Sequence, residues 1–168
     1  PRLTLLRYLR ANKFSVDKAI EKIETNLKWR SEMKVKELIN LRPDEILGCE
    51  MSDLVEFFPH WQSGNDKHGR PVLYKQYNSH FDASKILKLS SSEAITRYHI
   101  WEQEACMRLC FEQSKKTGHI VETLTAVVDV KGMQLYQVTR DFLGIVKAIA
   151  DIDQVESLSW NFRANFYY

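Results

Sequence analysis

Residues 123–130 (TLTAVVDV) place the strongest constraint on how this chain folds. The run is short, rich in β-branched residues and nearly all apolar, which is typical of a strand covered on both faces of a parallel sheet. Lys131 and Gly132 then turn the chain, and residues 135–152 have the periodicity of a helix. Residues 72–77 (VLYKQY) alternate well enough to predict an earlier strand. Strands that alternate with helices predict an α/β fold.

Helices are predicted before and between these strands. A long helix should begin at Ser91 or the serine after it and end at Gly118, because serine favours the N-cap and glycine the C-cap. Apolar residues recur at three- and four-residue spacing over 3–12 and over 16–33, and Ser15 can cap the second of these helices. The two helices are close enough in sequence to form a small hairpin.

The composition restricts the possible functions. A hydrophobic content of 44% over 168 residues can bury one sizeable core, and a formal net charge of +2 is far below what binding through many phosphates requires. We therefore expect no nucleic-acid partner. Residues 1–42 hold eleven Lys and Arg against five Asp and Glu. This basic end would suit an anionic membrane or a phosphorylated headgroup, and an ordinary solvated helical surface is the alternative.

The cysteines indicate a reducing compartment. Cys49, Cys106 and Cys110 cannot all pair, and no signal peptide precedes them, so we expect a cytosolic protein. The chain begins at Pro1 without a methionine, which suggests a fragment. No run reaches the roughly 18 apolar residues of a membrane span.

Four short motifs occur in an order and at a spacing typical of one family. They are LLRYLRANKFSVDKA with KWR (5–19 and 28–30), DKHGRPV (66–72), the pair Trp101 and Glu102, and GHIVETLTAVVDVKG (118–132). Together they resemble the CRAL-TRIO lipid-binding domain, most closely the yeast-type phosphatidylinositol/phosphatidylcholine transfer branch.

This resemblance implies an α/β domain that consists of an N-terminal helical lobe followed by an incomplete, mostly parallel sheet flanked by helices. The lobe would occupy 1–48 and the first part of the lipid-binding domain 49–156. Family members continue with a YPE-type turn, two further strands and a gate helix, which this sequence lacks. Residues 157–168 form a divergent aromatic tail instead. We therefore expect one edge of the strand at 123–130 to lack its neighbour, which would make the chain a poorly stable monomer that transfers no lipid.

The resemblance also assigns the wall of an apolar cavity. Leu124, Ala126 and Val128 alternate onto one face of the central strand, and Gln103 and Cys106 would face them from the long helix. An ordinary buried strand that packs against a helix is the alternative interpretation.

The headgroup positions differ from those of the phosphatidylcholine-binding relatives. Gln62, Gln103, Leu124 and Ala126 stand where those relatives have two tyrosines, a serine and a threonine. We therefore expect no phosphatidylcholine site of the yeast kind. For phosphoinositides the family uses a basic pair, of which Arg30 remains as a headgroup candidate. A solvated surface arginine is the alternative.

The sequence predicts no metal, no cofactor and no enzymatic activity. His99, Cys106 and Cys110 share a helical stripe with Gln103, but their spacing matches no zinc signature, and buried thiols are the preferred interpretation. The sequence contains no GxSxG, HExxH, GxxxxGK[ST] or GxGxxG motif.

The predicted function is the binding and transfer or sensing of phosphatidylinositol or another hydrophobic lipid. The protein would be cytoplasmic and peripheral at membranes, with a phospholipid or other hydrophobic ligand and, transiently, a membrane surface as its partners. A non-transferring regulatory module that binds another protein is the alternative.

Overall fold

The computed structural model describes the backbone of residues 2–156 and 163–167, which contain eight α-helices and one four-stranded sheet. The helices are α1 (Arg2–Ala11), α2 (Val16–Glu32), α3 (Val35–Leu38), α4 (Pro43–Leu47), α5 (Met51–Phe57), α6 (Ala83–Leu89), α7 (Ser92–Thr117) and α8 (Arg140–Glu156). The strands are β1 (His60–Asn65), β2 (Pro71–Gln76), β3 (Thr125–Asp129) and β4 (Arg163–Tyr167), and a short 3₁₀ helix spans Leu135–Gln137.

The sheet has the order β1-β2-β3-β4, in which β1 is antiparallel to β2 and the other pairs are parallel. The prediction of an α/β fold with a mostly parallel sheet is therefore confirmed. Sequence reasoning missed β1, because Ser63, Gly64 and Asn65 are turn-forming residues. The strand accommodates them through an irregularity between Gln62 and Asn65, where the pairing register shifts.

The expectation of an open edge on β3 was wrong. Strand β4, which lies within the aromatic tail, pairs with β3 along its whole length, from Thr125 opposite Arg163 to Asp129 opposite Tyr167. Aromatic residues favour extended backbone, and the unpaired amides and carbonyls of a central strand are satisfied best by a neighbouring strand. The tail therefore supplies the neighbour that the family motifs do not.

The helical elements follow their local signals. Ser91 Oγ accepts a hydrogen bond from the backbone amide of Ala94 at 3.1 Å, and Gly118 ends α7 with φ at +69°, so both predicted ends of this helix are confirmed. The helix predicted over 135–152 instead divides into the 3₁₀ turn and α8. The hydroxyl of Thr139 accepts the amide of Phe142 at 3.2 Å, which starts α8 after the turn.

The N-terminal hairpin forms as predicted, with α1 packed against α2. Lys13 and Phe14 turn the chain with positive φ angles of 53° and 63°. The apolar face of α2 is only partly covered, since Val16 and Leu27 remain exposed. Among the helices that the structure describes, none combines the length and apolarity needed to cross a bilayer.

The DKHGRPV motif joins the β1–β2 hairpin to β3. The Asp66 carboxylate accepts the backbone amides of His68 and Arg70 at 2.8 and 2.9 Å and the Thr125 hydroxyl at 2.9 Å. Partial burial opposes the charged form, but these hydrogen bonds outweigh it and lower the pKa of Asp66. The motif therefore has a structural role, because Asp66 connects the loop between β1 and β2 to Thr125 on β3.

Candidate functional site

A largely apolar cleft lies between β3, α7 and α8 and has a volume of about 390 Å³. The polar residues that line this cleft are Lys75, Tyr77, His99, Gln103 and Asp153. The apolar lining includes Val128, Val130, Met133, Phe142, Val146 and Ile149. This combination of apolar walls with a few convergent polar groups is typical of a small-molecule site.

A larger groove of about 500 Å³ lies beside α6 and the 3₁₀ helix. Charged residues such as Glu56, Asp82 and Lys85 contribute to its lining, and Tyr136 forms part of it while remaining mostly exposed. Such a groove offers no continuous apolar wall to an acyl chain. The cleft beside β3 is therefore the better candidate for a hydrophobic ligand.

The structure divides the five residues assigned to the cavity wall into two groups. Val128 and Gln103 line the cleft. Leu124, Ala126 and Cys106 lie deeper, in the buried cluster where α7 packs on the sheet, and each exposes at most 3% of its surface. These three residues pack with Val128 in the buried cluster and do not line the cleft themselves.

Cys106 and Cys110 act as packing groups in this cluster. Burial raises the pKa of the Cys106 thiol to about 12 and that of Cys110 to about 11. Both side chains therefore remain neutral thiols at physiological pH. A neutral thiol lacks the nucleophilicity and the metal affinity of a thiolate. Among the described residues no group of His, Cys, Asp and Glu side chains could hold a metal ion.

A buried ion pair lies between the sheet and α7. The ammonium group of Lys75 on β2 lies 2.7 Å from a carboxylate oxygen of Glu102 on α7. His60 adjoins the pair, because its Nε2 lies 3.7 Å from the other carboxylate oxygen of Glu102. Its Nδ1 donates to the Phe58 carbonyl at 2.8 Å, and its Nε2 lies 3.0 Å from the Tyr98 hydroxyl. Burial lowers the pKa of His60 and so favours the neutral ring, whose Nε2 accepts a hydrogen bond from the Tyr98 hydroxyl.

A second polar group joins α7 to α8 at the cleft. Asp153 Oδ1 accepts a hydrogen bond from His99 Nε2 at 2.8 Å and another from Gln103 Nε2 at 3.3 Å. These contacts place Gln103 on the cleft wall with its amide nitrogen already engaged. They also connect the cleft to the helix that forms its outer wall.

Tyr77 lies where the apolar and polar parts of the cleft meet. Its ring packs against Phe58, Phe81 and Phe142, with centroid separations of 5.2, 5.1 and 6.1 Å. Burial raises the pKa of Tyr77, which keeps the hydroxyl protonated. Sequence reasoning missed this residue and Lys75, because alternation in a short strand does not show which polar residue will face a helix. It also missed Asp153 on α8, whose partners His99 and Gln103 are at least 50 residues away in sequence.

Arg30 lies outside the cleft. It belongs to a groove of about 330 Å³ between α1, α2 and α7, where its guanidinium group forms an ion pair with Glu104 at 2.6 Å. The pair connects the helical lobe to α7. Arg30 is therefore separate from the residues assigned to the cavity wall.

Asp129 has a structural contact in the turn after β3. Its carboxylate accepts the backbone amide of Lys131 at 2.9 Å, and Gly132 follows with φ at +80°. A positive φ favours glycine at this position. These contacts stabilise the turn that leads from β3 towards α8.

Comparison with known proteins gives consistent matches. Residues 58–157 match the model of the CRAL/TRIO domain, and residues 1–25 match the model of the CRAL/TRIO N-terminal domain. The SEC14 cytosolic factor of Yarrowia lipolytica is 30% identical over 152 residues, which cover 90% of this chain and 30% of that protein. The SEC14 cytosolic factor of Kluyveromyces lactis is 30% identical over 153 residues, covering 90% of this chain and 48% of that protein.

More distant matches agree. The phosphatidylinositol/phosphatidylcholine transfer protein SFH9 of Arabidopsis thaliana is 28% identical over 151 residues, which cover 89% of this chain and 25% of that protein. The crystal structure of Sfh5 has the same fold, with a TM-score of 0.69 at 18% identity over 98% of this chain and 53% of that one. The chain spans less than half the length of these three curated relatives. With more than half of its residues matched by the family model, the chain belongs to the CRAL/TRIO domain family.

Proposed function

We propose that this chain binds phosphatidylinositol or another hydrophobic lipid in the cleft between β3, α7 and α8, and that it transfers or senses this lipid at membranes. The single observation that carries the proposal is the apolar wall formed by residues such as Val128, Phe142 and Ile149. Binding and transfer require no covalent chemistry, and we assign the chain no enzymatic activity.

Enclosure is the physical basis of such transport. Each methylene group of an acyl chain that stays in water forgoes about 0.8 kcal/mol of transfer free energy. The outer wall of the cleft is incomplete, because Val146 on α8 lines it and still exposes 38% of its surface. We infer that this chain binds lipid but transfers it inefficiently between membranes.

The headgroup preference should exclude phosphatidylcholine. Leu124 and Ala126 offer no hydroxyl group, and the amide nitrogen of Gln103 is engaged by Asp153. Gln62 lies on the exposed part of β1, where its side chain contacts the carbonyl of Gly64 at 3.3 Å. None of these four residues replaces the phenol and hydroxyl donors of the phosphatidylcholine-binding relatives.

Transient membrane contact is supported by an apolar protrusion near the cleft. Leu135 and Tyr136 in the 3₁₀ helix expose 88% and 75% of their surface, and the exposed Lys131 and Arg140 flank them. Apolar side chains beside cations suit the interface of an anionic bilayer. The same protrusion would serve a protein partner if the domain were a regulatory module.

Occupancy of the cleft can be tested by filling it. Ala150 lines the cleft, so Ala150→Trp should abolish binding of a phosphatidylinositol that carries a fluorescent acyl chain. Gly144→Trp is the matched control, since Gly144 lies on the same helix with open space around it and should leave binding unchanged. Equal binding by both variants and the unaltered chain would contradict the proposed site.

The membrane surface and the regulatory alternative are separated by a second measurement. The double variant Leu135→Ser/Tyr136→Ser should lose flotation with phosphatidylinositol-containing vesicles, whereas Leu143→Ser should keep it. A chain that binds neither the fluorescent lipid nor vesicles would favour the regulatory module.

A further inference from the structure

The N-terminal helical hairpin carries a regular apolar stripe on its exposed side. The stripe consists of the α2 residues Val16, Ile20, Ile23 and Leu27, which follow one another at intervals of four, three and four residues. We propose that this stripe binds an amphipathic α-helix of a partner protein, and that two carboxylates beside it select a helix with cationic flanks. The inference goes beyond lipid binding, because none of these residues lines the cleft.

The stripe is not the face through which α2 packs into the hairpin. The residues that α2 buries are Ala19 and Asn26, which lie about a quarter of a turn further round the helix. Val16, Ile20 and Leu27 each leave about half or more of their surface exposed. The helix therefore has a second apolar face that the described part of the chain covers only in part.

One end of the stripe leads into the groove between α1, α2 and α7. Ile23 and Leu27 line this groove from α2, Leu5 lines it from α1, and Met107 lines it from α7. Leu5 is also about half exposed. An apolar side chain of a partner that entered the groove would therefore contact three helices.

The spacing of the stripe indicates that its partner is a helix. Intervals of four, three and four residues are those of the a and d positions of a coiled coil, where each apolar side chain packs between residues of the facing helix. From Val16 to Leu27 the stripe extends for about 16 Å, or three helical turns. A helix with Leu, Ile or Val at the same spacing could contact its whole length.

Two exposed carboxylates border the stripe. Asp17 and Glu24 are one heptad apart, and neither forms an ion pair with a described residue. Charges in this position beside the apolar stripe determine the choice of partner in coiled coils. Lys18 and Lys22 lie on the opposite side of α2, so they do not offset the two acids. Lysine or arginine residues on the flank of a partner helix would complement them.

A second copy of this chain offers no such cation. In an antiparallel dimer through the stripe, Asp17 would face Glu24 of the second copy, which is unfavourable. In a parallel dimer the two acids would face the uncharged positions of Ala19 and Asn26. An anionic bilayer would also be repelled by the two carboxylates. The charges therefore favour a cationic helix over either alternative.

The test uses two fluorescently labelled peptides of about three heptads, both with Leu at the a and d positions. One has Lys and the other Glu at the flanking e and g positions, so that like charges prevent each peptide from pairing with itself. We expect the purified 168-residue chain to bind the Lys peptide about 5- to 10-fold more tightly in fluorescence anisotropy, and added salt to reduce the difference. Equal affinity for the two peptides, or no binding of either, would overturn the proposal.

A charge reversal assigns the preference to the two carboxylates. The double variant Asp17→Lys/Glu24→Lys should prefer the Glu peptide. The matched control is Glu21→Lys/Glu32→Lys, which changes the net charge equally but lies further from the stripe around α2, and it should still prefer the Lys peptide. Reversal by both double variants would show that only net charge matters, which would overturn the assignment.

Removal of the apolar contacts tests the stripe itself. Ile20→Ser/Leu27→Ser should weaken binding of the Lys peptide about 10-fold or more, since central apolar contacts dominate such interfaces. Phe111→Ser/Ile120→Ser removes two similarly exposed side chains outside the hairpin and should leave peptide binding unchanged. An equal loss in both would contradict the proposed surface.

Two further measurements separate the other occupants and the lipid site. Light scattering that showed a dimer, or flotation with anionic vesicles, would overturn the proposal if Ile20→Ser/Leu27→Ser abolished it. The same variant should keep binding of the fluorescent phosphatidylinositol, because the cleft lies elsewhere. Failure of peptide binding would therefore leave the proposed lipid site intact.

Discussion

The ammonium nitrogen of Lys75 lies 2.7 Å from a carboxylate oxygen of Glu102, and the two side chains expose only 10% and 9% of their surface. Burial by itself would lower the pKa of Lys75, but the Glu102 carboxylate outweighs it and the pKa is raised. Burial would likewise raise the pKa of Glu102, but Lys75, His60 and His99 lower it. Each group therefore stabilises the charged form of the other.

Removing one partner of this pair should destabilise the domain strongly. We expect Lys75→Met to reduce the free energy of unfolding by about 3–5 kcal/mol, since Glu102 would remain buried without its counter-ion. Urea denaturation followed by circular dichroism measures this loss. The double variant Lys75→Met/Glu102→Leu should recover most of the stability, and a loss equal to the sum of the two single losses would contradict the coupling.

His60 should make the stability depend on pH. Burial lowers its folded pKa below the unfolded value of about 6.5, so its contribution is fully present above that pH and is lost as the pH falls towards the folded pKa. The charged or titratable groups that face it are Glu102, Lys75, His99 and the Tyr98 hydroxyl. We expect the melting temperature to fall between pH 7.5 and pH 5, and to fall less in His60→Gln. The exposed His119→Gln should behave like the unaltered chain.

Arg30 offers a test of the headgroup prediction. If its guanidinium group holds a headgroup phosphate, Arg30→Ala should weaken phosphatidylinositol binding by about 1.5–3 kcal/mol and leave sterol binding nearly unchanged. Glu104→Gln removes the competing carboxylate and should not weaken phosphatidylinositol binding. An equal loss of every ligand in both variants would instead show that the Arg30–Glu104 pair acts through folding.

The N-cap of α7 is a local contribution to stability. Ser91→Ala removes the acceptor for the Ala94 amide and should cost about 1 kcal/mol, or about 2–4 °C in melting temperature for a domain of this size. The neighbouring Ser92→Ala is the control, because Ser92 is the first residue of the helix and its side chain does not cap it. Thermal melts of the two variants should differ by this amount.

Strand β4 should protect the edge of β3. A chain that ends at Glu156 lacks β4, so five residues of β3 lose their partners on one side. Open apolar edges pair with other chains. We expect this shortened chain to form larger species by light scattering at concentrations where the 168-residue chain remains smaller, and equal behaviour of the two would contradict the role of β4.

Local signals in the sequence were sufficient for the elements that they define. The β-branched run around Val127 predicted the central strand, and Ser91 and Gly118 predicted both ends of α7, because strand propensity and helix capping act between residues close in sequence. The order of strands and helices then determined the α/β class, and the spacing of short motifs indicated the family.

The site itself depended on contacts between distant residues. Alternation along β2 did not show that Lys75 would be buried, since its partner Glu102 is 27 residues further along the chain. The contact between His99 and Asp153 spans 54 residues and depends on the packing of α8 beside α7. Strand β4 pairs with the edge of β3 that β2 does not occupy. Pairing of charges and of strand edges is decided by which surfaces meet in space, and for this chain only the tertiary structure determined that.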